Sequence, residues 1–137
     1  MSHEFTLSND IAELPGLAES IETFGEQGGL SPKVVYALNL VLDEWLTNLI
    51  SYAYESDTRH EIHVLLHMGD EEVVLEVKDD GEPFNPLTQA PEAPTTGTVE
   101  DRPIGGLGLH LLKSLMDEVN YESIEGWNTL RLTKSRA

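Results

Sequence analysis

The sequence predicts an α+β fold, a two-layer α/β sandwich in which three helices cover one face of a mostly antiparallel, mixed sheet. Three observations predict it. Strand-like segments with a two-residue period flank short turns at Gly69-Asp70 and Glu125-Gly126, so strands adjacent in sequence pair as hairpins. Long stretches elsewhere carry apolar residues at helical spacing. The resulting order, β-α-α-β-β-loop-α-β-β, separates helices from hairpins, where a parallel fold would alternate them.

Each element has its own signal. Glu4 to Leu7 reads as a short strand. Ile11, Leu14, Leu17, Ile21 and Phe24 then recur at helical spacing and end near Gly25 and Gly28-Gly29. Ser31-Pro32 opens a second helix in the N-cap, N1 pattern. It runs through Val35, Leu38, Val41, Leu42, Trp45, Leu49 and Ala53, with no breaker until about Ser56. Glu61 to Met68 alternates as a strand, with Ile62, Val64 and Leu66 on one face, and Val73 to Val77 is the returning strand. Residues 85–103 hold Pro86, Pro91, Pro94 and Pro103 and read as a long irregular loop, a length that usually marks a lid or other functional loop. A helix from Gly108 to about Glu118 follows, then a last hairpin of Val119 to Ile124 and Thr129 to Leu132.

Composition bounds the function. With 137 residues the chain suits one domain, residues 1–137, around one core. It has no cysteine, which removes disulfides and thiolate metal sites and fits a cytoplasmic protein. The N-terminus shows no signal peptide, and no apolar run approaches a membrane span, so no membrane partner is expected. A formal net charge of -17 repels nucleic acid backbones and favours basic protein partners, or simply keeps the domain soluble.

Three motifs carry chemistry. Glu44 and Asn48 lie four residues apart and share a helix face, where a carboxylate can accept a proton and an amide oxygen can ligate a hard cation such as Mg²⁺. Asp79-Asp80-Gly81 sits just after a strand, where a carboxylate can accept a hydrogen bond from an exocyclic amine; it also reads as an ordinary Asp-Gly turn. Gly105, Gly106 and Gly108 crowd the start of the third helix, whose N-terminal N–H groups can cradle a phosphate. No Gly-Lys-Ser/Thr occurs, so this is not a P-loop, and the third glycine of the dinucleotide fingerprint is missing.

In this order the motifs resemble the N, G1 and G2 boxes of the GHKL ATPases. Within them "LDEWLTNLISYAY", "VKDDGEPFNP" and "RPIGGLGLHLLKSLMDEV" are similar to the signatures of the RsbW/SpoIIAB anti-sigma factor serine kinases. The resemblance covers about residues 4–134. It implies ATP and Mg²⁺ as cofactors, Glu44 as general base, Asn48 as the Mg²⁺ ligand and Asp79 with Gly81 at the adenine. It places Gly105, Gly106, Leu107, Gly108 and Leu109 at the phosphate-binding turn, and Thr129 near the adenine. The loop of residues 85–103 becomes a lid ending in Arg102, whose reach to a γ-phosphate the sequence leaves open. The implied function is phosphorylation of a STAS-domain anti-anti-sigma protein and a switch of partners with a sigma factor or similar target. A non-catalytic ATP-binding module is the alternative, and the resemblance also suggests a homodimer. Pro83 stands where the wider superfamily has the second glycine of its G1 box. His63 and His67 share a strand face, but no carboxylate-rich constellation converges with them to suggest a metal site.

Overall fold

The computed structural model describes residues 2–54, 58–83 and 112–136. Five strands form one sheet: β1 (Ser2–Ser8), β2 (Glu61–Met68), β3 (Glu72–Asp79), β4 (Glu118–Ile124) and β5 (Trp127–Ser135), in the order β1-β2-β3-β5-β4. Two helices, α1 (Leu14–Gln27) and α2 (Pro32–Asn48), pack on one face. Residues 112–115 are helical and lead into β4.

Every pairing among the described strands is antiparallel, with Phe5 opposite Val64, Leu66 opposite Leu75, Leu75 opposite Leu132 and Leu130 opposite Tyr121. The mixed character expected from the sequence is therefore absent among them. Strand alternation sends Ile62, Val64 and Leu66 of β2, Val73, Leu75 and Val77 of β3, and Leu130 and Leu132 of β5 toward the helices. They meet Leu17 and Ile21 of α1 and Leu38, Val41, Leu42 and Trp45 of α2 in one core.

Local chemistry sets the boundaries. Asp10 accepts from the Ala12 N–H and starts a 3₁₀ turn, Ile11–Glu13, so α1 proper begins three residues later than the apolar spacing implied. Ser31 caps α2 by accepting from the Val34 N–H at 3.2 Å, with Pro32 as its first residue. The α-helix stops at Asn48, and Leu49–Ala53 continue with π-type spacing, which periodicity alone does not reveal. The β4–β5 turn uses Glu125 (φ 53°) and Gly126 (φ 85°), the left-handed pair of a type I′ hairpin. The helical segment ends at residue 115, short of the expected Glu118. Lys134 Nζ takes the Leu115 carbonyl at 2.9 Å, and the Asp117 N–H joins Thr133 O at 2.8 Å, drawing the chain into the sheet. At the opposite end, the Arg136 guanidinium ties the Gly28 and Gly69 carbonyls at 2.6 Å each, bracing the end of α1 against the β2–β3 turn.

These contacts rank two substitutions. Ser31→Ala removes a cap and should cost about 1 kcal/mol. Leu38→Ala empties a site only 1% exposed and should cost roughly 2–5 kcal/mol. Urea unfolding of both variants measures the difference.

Candidate functional site

The site lies where the C-terminal end of α2 meets the end of β3. Glu44 and Asn48 are both half-buried, one helical turn apart. The Asn48 amide nitrogen donates to the Glu44 carbonyl at 2.7 Å. That bond fixes the amide and leaves its oxygen, Oδ1, without a hydrogen bond among the described residues. A neutral oxygen so held is the kind of ligand a hard cation takes.

Asp79 is the last residue of β3, two residues beyond the Val77 end that the sequence implies. Register with β5 stabilises this polar strand end, because Asp79 stands opposite Asn128. Both are 1% exposed. Asp79 Oδ2 accepts from the Gly81 N–H at 2.9 Å and from Asn128 Nδ2 at 3.1 Å. Asn128 Nδ2 also donates to the Gly81 carbonyl at 2.9 Å, and Ser123 Oγ donates to Asn128 Oδ1 at 2.6 Å. Among the described residues Asp79 Oδ1 takes no hydrogen bond.

Gly81 lets the two halves of the site touch. A Cβ there would lie 2.8 Å from the Ala53 carbonyl oxygen and 2.9 Å from the Ala53 Cβ, both inside van der Waals contact. The Glu82 N–H donates to the same carbonyl at 2.8 Å. The π turn after α2 is thus bonded directly to the turn after β3.

Burial pushes the Asp79 carboxyl above its ordinary value, and the neighbouring Asp80 carboxylate adds to the rise; the Asn128 and Gly81 hydrogen bonds oppose it. The Tyr54 phenol is raised as well, by burial first and then by Asp79 and Asp80. Its hydroxyl is buried with no hydrogen-bond partner among the described residues, as is the Trp45 indole N–H. Asp80 pairs with His60 at 3.0 Å, and the His60 ring stacks on Tyr54 with centroids 4.6 Å apart. A cavity of about 640 Å³ lies beside this group; it is lined by His60, Asp80 and Trp127 among others, and by none of Glu44, Asn48 or Asp79.

The structure brings Glu44 and Asn48 together on α2, and Asp79 and Gly81 together at the strand end. Thr129 sits elsewhere. It stands opposite Lys78 and Glu122, on the face of the sheet turned away from the helices, and strand alternation gives the position beside Asp79 to Asn128. Asn128 is the site residue that the sequence reading missed; pairing Asp79 with the residues of the last hairpin in an antiparallel register would have pointed to it. Arg102, Gly105, Gly106, Leu107, Gly108 and Leu109 lie outside the described residues, as does the loop of residues 85–103. Among the described residues no group of three or more His, Asp or Glu could hold a metal ion, and no helix is long and apolar enough to cross a membrane.

Two predictions follow from the buried carboxylate and the close approach. Because the folded protein raises the Asp79 pKa from 3.8, the protonated form is the one favoured by folding. That contribution is complete below the unfolded value and is lost as pH rises through the folded one. Asp79→Asn should therefore raise the melting temperature of the free protein at neutral pH, with a gain that shrinks toward pH ~4; melts across this range test the sign. Gly81→Ala should separate the two turns and lower stability by about 1–3 kcal/mol, measured in denaturant.

Comparison with known proteins agrees with this architecture. The model of the histidine kinase-like ATPase domain matches residues 7–134. A serine/threonine-protein kinase, BtrW of Bordetella bronchiseptica, is 35% identical over 107 residues, covering 78% of this chain and 75% of the relative. A serine-protein kinase, RsbW of Listeria innocua, is 30% identical over 110 residues, covering 78% and 70%. Among solved structures, the RsbU and RsbW domains of Rv1364c from Mycobacterium tuberculosis superpose with a TM-score of 0.71 over 99% of this chain at 18% identity. This chain spans 32% of that longer one, and the likeness speaks for the fold alone. The match of nearly the whole chain to one family model, with two kinase relatives at this level of identity, means that the chain belongs to the histidine kinase-like ATPase domain family, in the branch of the RsbW and BtrW serine kinases.

Proposed function

We propose that the chain is an ATP-dependent protein serine kinase that phosphorylates a STAS-domain antagonist and holds a sigma factor or similar target once that antagonist is phosphorylated. The observation that carries the nucleotide half of this reading is Asp79: a buried carboxylate pinned through one oxygen, with the other taking no hydrogen bond among the described residues and able to accept from an adenine amine. The relatives named serine-protein kinases support the catalytic half.

The residues fit MgATP in kind. Asp79 Oδ1 is an acceptor for the adenine amine, and the bare Cα of Gly81 lets Ala53 close against the turn that holds Asp79. The oriented Asn48 Oδ1 is a ligand for Mg²⁺. Mg²⁺ would neutralise charge that develops on the phosphates. The Gly105–Gly106–Leu107–Gly108–Leu109 turn would supply N–H donors to the same phosphates, and Arg102, at the end of the lid of residues 85–103, adds a cation within the reading. Glu44 would take the proton of the attacking serine hydroxyl while the serine oxygen bonds to the γ-phosphorus and the bond from that phosphorus to ADP breaks. Asn48 holds its neighbour's backbone, so the base and the metal ligand share one rigid turn.

Radiolabelled ATP and a STAS-domain antagonist test the reading. Glu44→Ala should bind ATP and lose roughly 10²–10⁴-fold in transfer rate. Asn48→Ala should lose Mg²⁺-dependent binding as well. Full transfer by Glu44→Ala removes Glu44 as the base. ATP binding by the parent with no transfer to any antagonist replaces the kinase with a non-catalytic ATP-binding partner module.

A further inference from the structure

Asn128 is the one fully buried side-chain amide among the described residues, and its atoms admit a single orientation. Its two Nδ2 hydrogens go to Asp79 Oδ2 at 3.1 Å and the Gly81 carbonyl at 2.9 Å, both acceptors only. Its Oδ1 accepts from the Ser123 hydroxyl at 2.6 Å. Turning the amide over would set its oxygen against two other oxygens, leave that oxygen and the Gly81 carbonyl without this donor, and cost Asp79 Oδ2 one of its two donors, so the network fixes which end faces Asp79. The three side chains form a row across three strands, since Ser123 stands opposite Asn128 and Asn128 opposite Asp79.

We propose that Asn128, oriented by Ser123, is a positioning residue for nucleobase recognition: it occupies Asp79 Oδ2 so that Oδ1 alone meets the ligand. The consequence is selectivity for a base that presents an amino donor. An ionised carboxylate is an acceptor only, and with Oδ2 already filled by two donors Oδ1 is the oxygen left to accept from a ligand. A base presenting a carbonyl there would leave two acceptors face to face. Without the amide, Asp79 would keep one bond, from the Gly81 N–H, and could turn about its side-chain axis within the space vacated. The buried carboxylate would also lose a donor that opposes its protonation, while Asp80 beside it and the Tyr54 phenol offer no compensating cation. A protonated Asp79 no longer presents an obligate acceptor.

The inference rests on the nucleotide-binding reading above, and a pair of ligands separates the two. ATP and purine riboside triphosphate differ by the 6-amino group alone. Calorimetry with both, on the full chain in Mg²⁺, gives the contribution of that group. The parent should prefer ATP by about 10- to 100-fold, the worth of a hydrogen bond to a charged acceptor. Asn128→Ala should bind ATP more weakly and the purine analogue nearly as well as the parent, reducing the preference to a few-fold. Ser123→Ala, on an exposed strand position, should fold normally and lose part of the preference, so the test survives if Asn128→Ala is unstable. Asn128→Ser, which retains a hydroxyl donor, should recover part of it. An equal loss for both ligands makes Asn128 merely structural and overturns the proposal. An unchanged preference in Asn128→Ala and Ser123→Ala overturns it as well. A parent that binds both nucleotides alike removes the amino contact on which the proposal depends, and a parent that binds neither removes the nucleotide reading itself.

Discussion

A carboxylate buried without a cation is the constraint around which this end of the molecule is arranged. Asp79 is 1% exposed, and among the described residues no ion pair reaches it. Burying such a charge is costly unless hydrogen bonds replace the lost water. Here the replacements come from a side chain two strand positions deep in the last hairpin and from a backbone N–H two residues on. Both depend on register. A one-residue slip of β5 against β3 would send Asn128 to the far face of the sheet and bring an exposed residue opposite Asp79. The type I′ turn at Glu125-Gly126 holds that register, and it also sets Ser123 across from Asn128. The turn at the tip of the hairpin and the carboxylate in the site are therefore parts of one geometric requirement.

The helical layer is joined to this requirement at Ala53. Its carbonyl accepts from the Glu82 N–H and lies against the bare Cα of Gly81. An ordinary α-helix would spend that carbonyl on an N–H four residues later; the π turn at Leu49–Ala53 ends the helix and leaves it for the strand-end turn. The same stretch begins at Asn48, whose amide is held by the Glu44 carbonyl. The Glu44–Asn48 pair on α2 and the Asp79 carboxylate on β3 are thus linked through backbone, which tolerates little movement. The core beneath them, from Ile21 and Leu38 to Leu75 and Leu132, is apolar throughout and supplies the stability against which the buried charge is set.

Most of the scaffold was legible because it obeys periodicity. Glu61–Met68 alternates cleanly, Ser31-Pro32 marks the start of α2, and Glu125-Gly126 marks a hairpin; each appears in the structure as the sequence implies. What escaped are the places where tertiary contacts override local signals. Asp79 extends β3 because Asn128 pairs with it, and no propensity predicts a strand ending in an aspartate. The π turn follows α2 without a glycine or proline to mark the change, so its spacing is silent in the sequence. Thr129 and Asn128 are neighbours in β5, and in a strand one residue is the difference between two faces, so Asn128 is the one that meets Asp79. The candidate residues Glu44, Asn48, Asp79 and Gly81 were found through the order of their motifs; the hydrogen bonds that orient them join residues up to 49 positions apart and are invisible to spacing.

Two adjacent aspartates show how the fold turns sequence neighbours to separate ends. Asp79 faces the helices and is dehydrated; Asp80, past the strand end, faces outward at 38% side-chain exposure and pairs with His60. Had both pointed inward, two carboxylates would share one buried space and one would have to remain protonated. Alternation keeps Asp80 hydrated, so its repulsion on Asp79 is a smaller effect than burial itself. The same reasoning bears on the net charge of -17. Exposed carboxylates scattered over the surface are screened within about 8 Å at physiological ionic strength. An anionic ligand at this site would respond chiefly to the donors and dipoles within contact distance. A strongly acidic chain can therefore present a nucleotide-type pocket, provided that its acidic residues near the pocket are either held by hydrogen-bond donors, as Asp79 is, or turned outward, as Asp80 is.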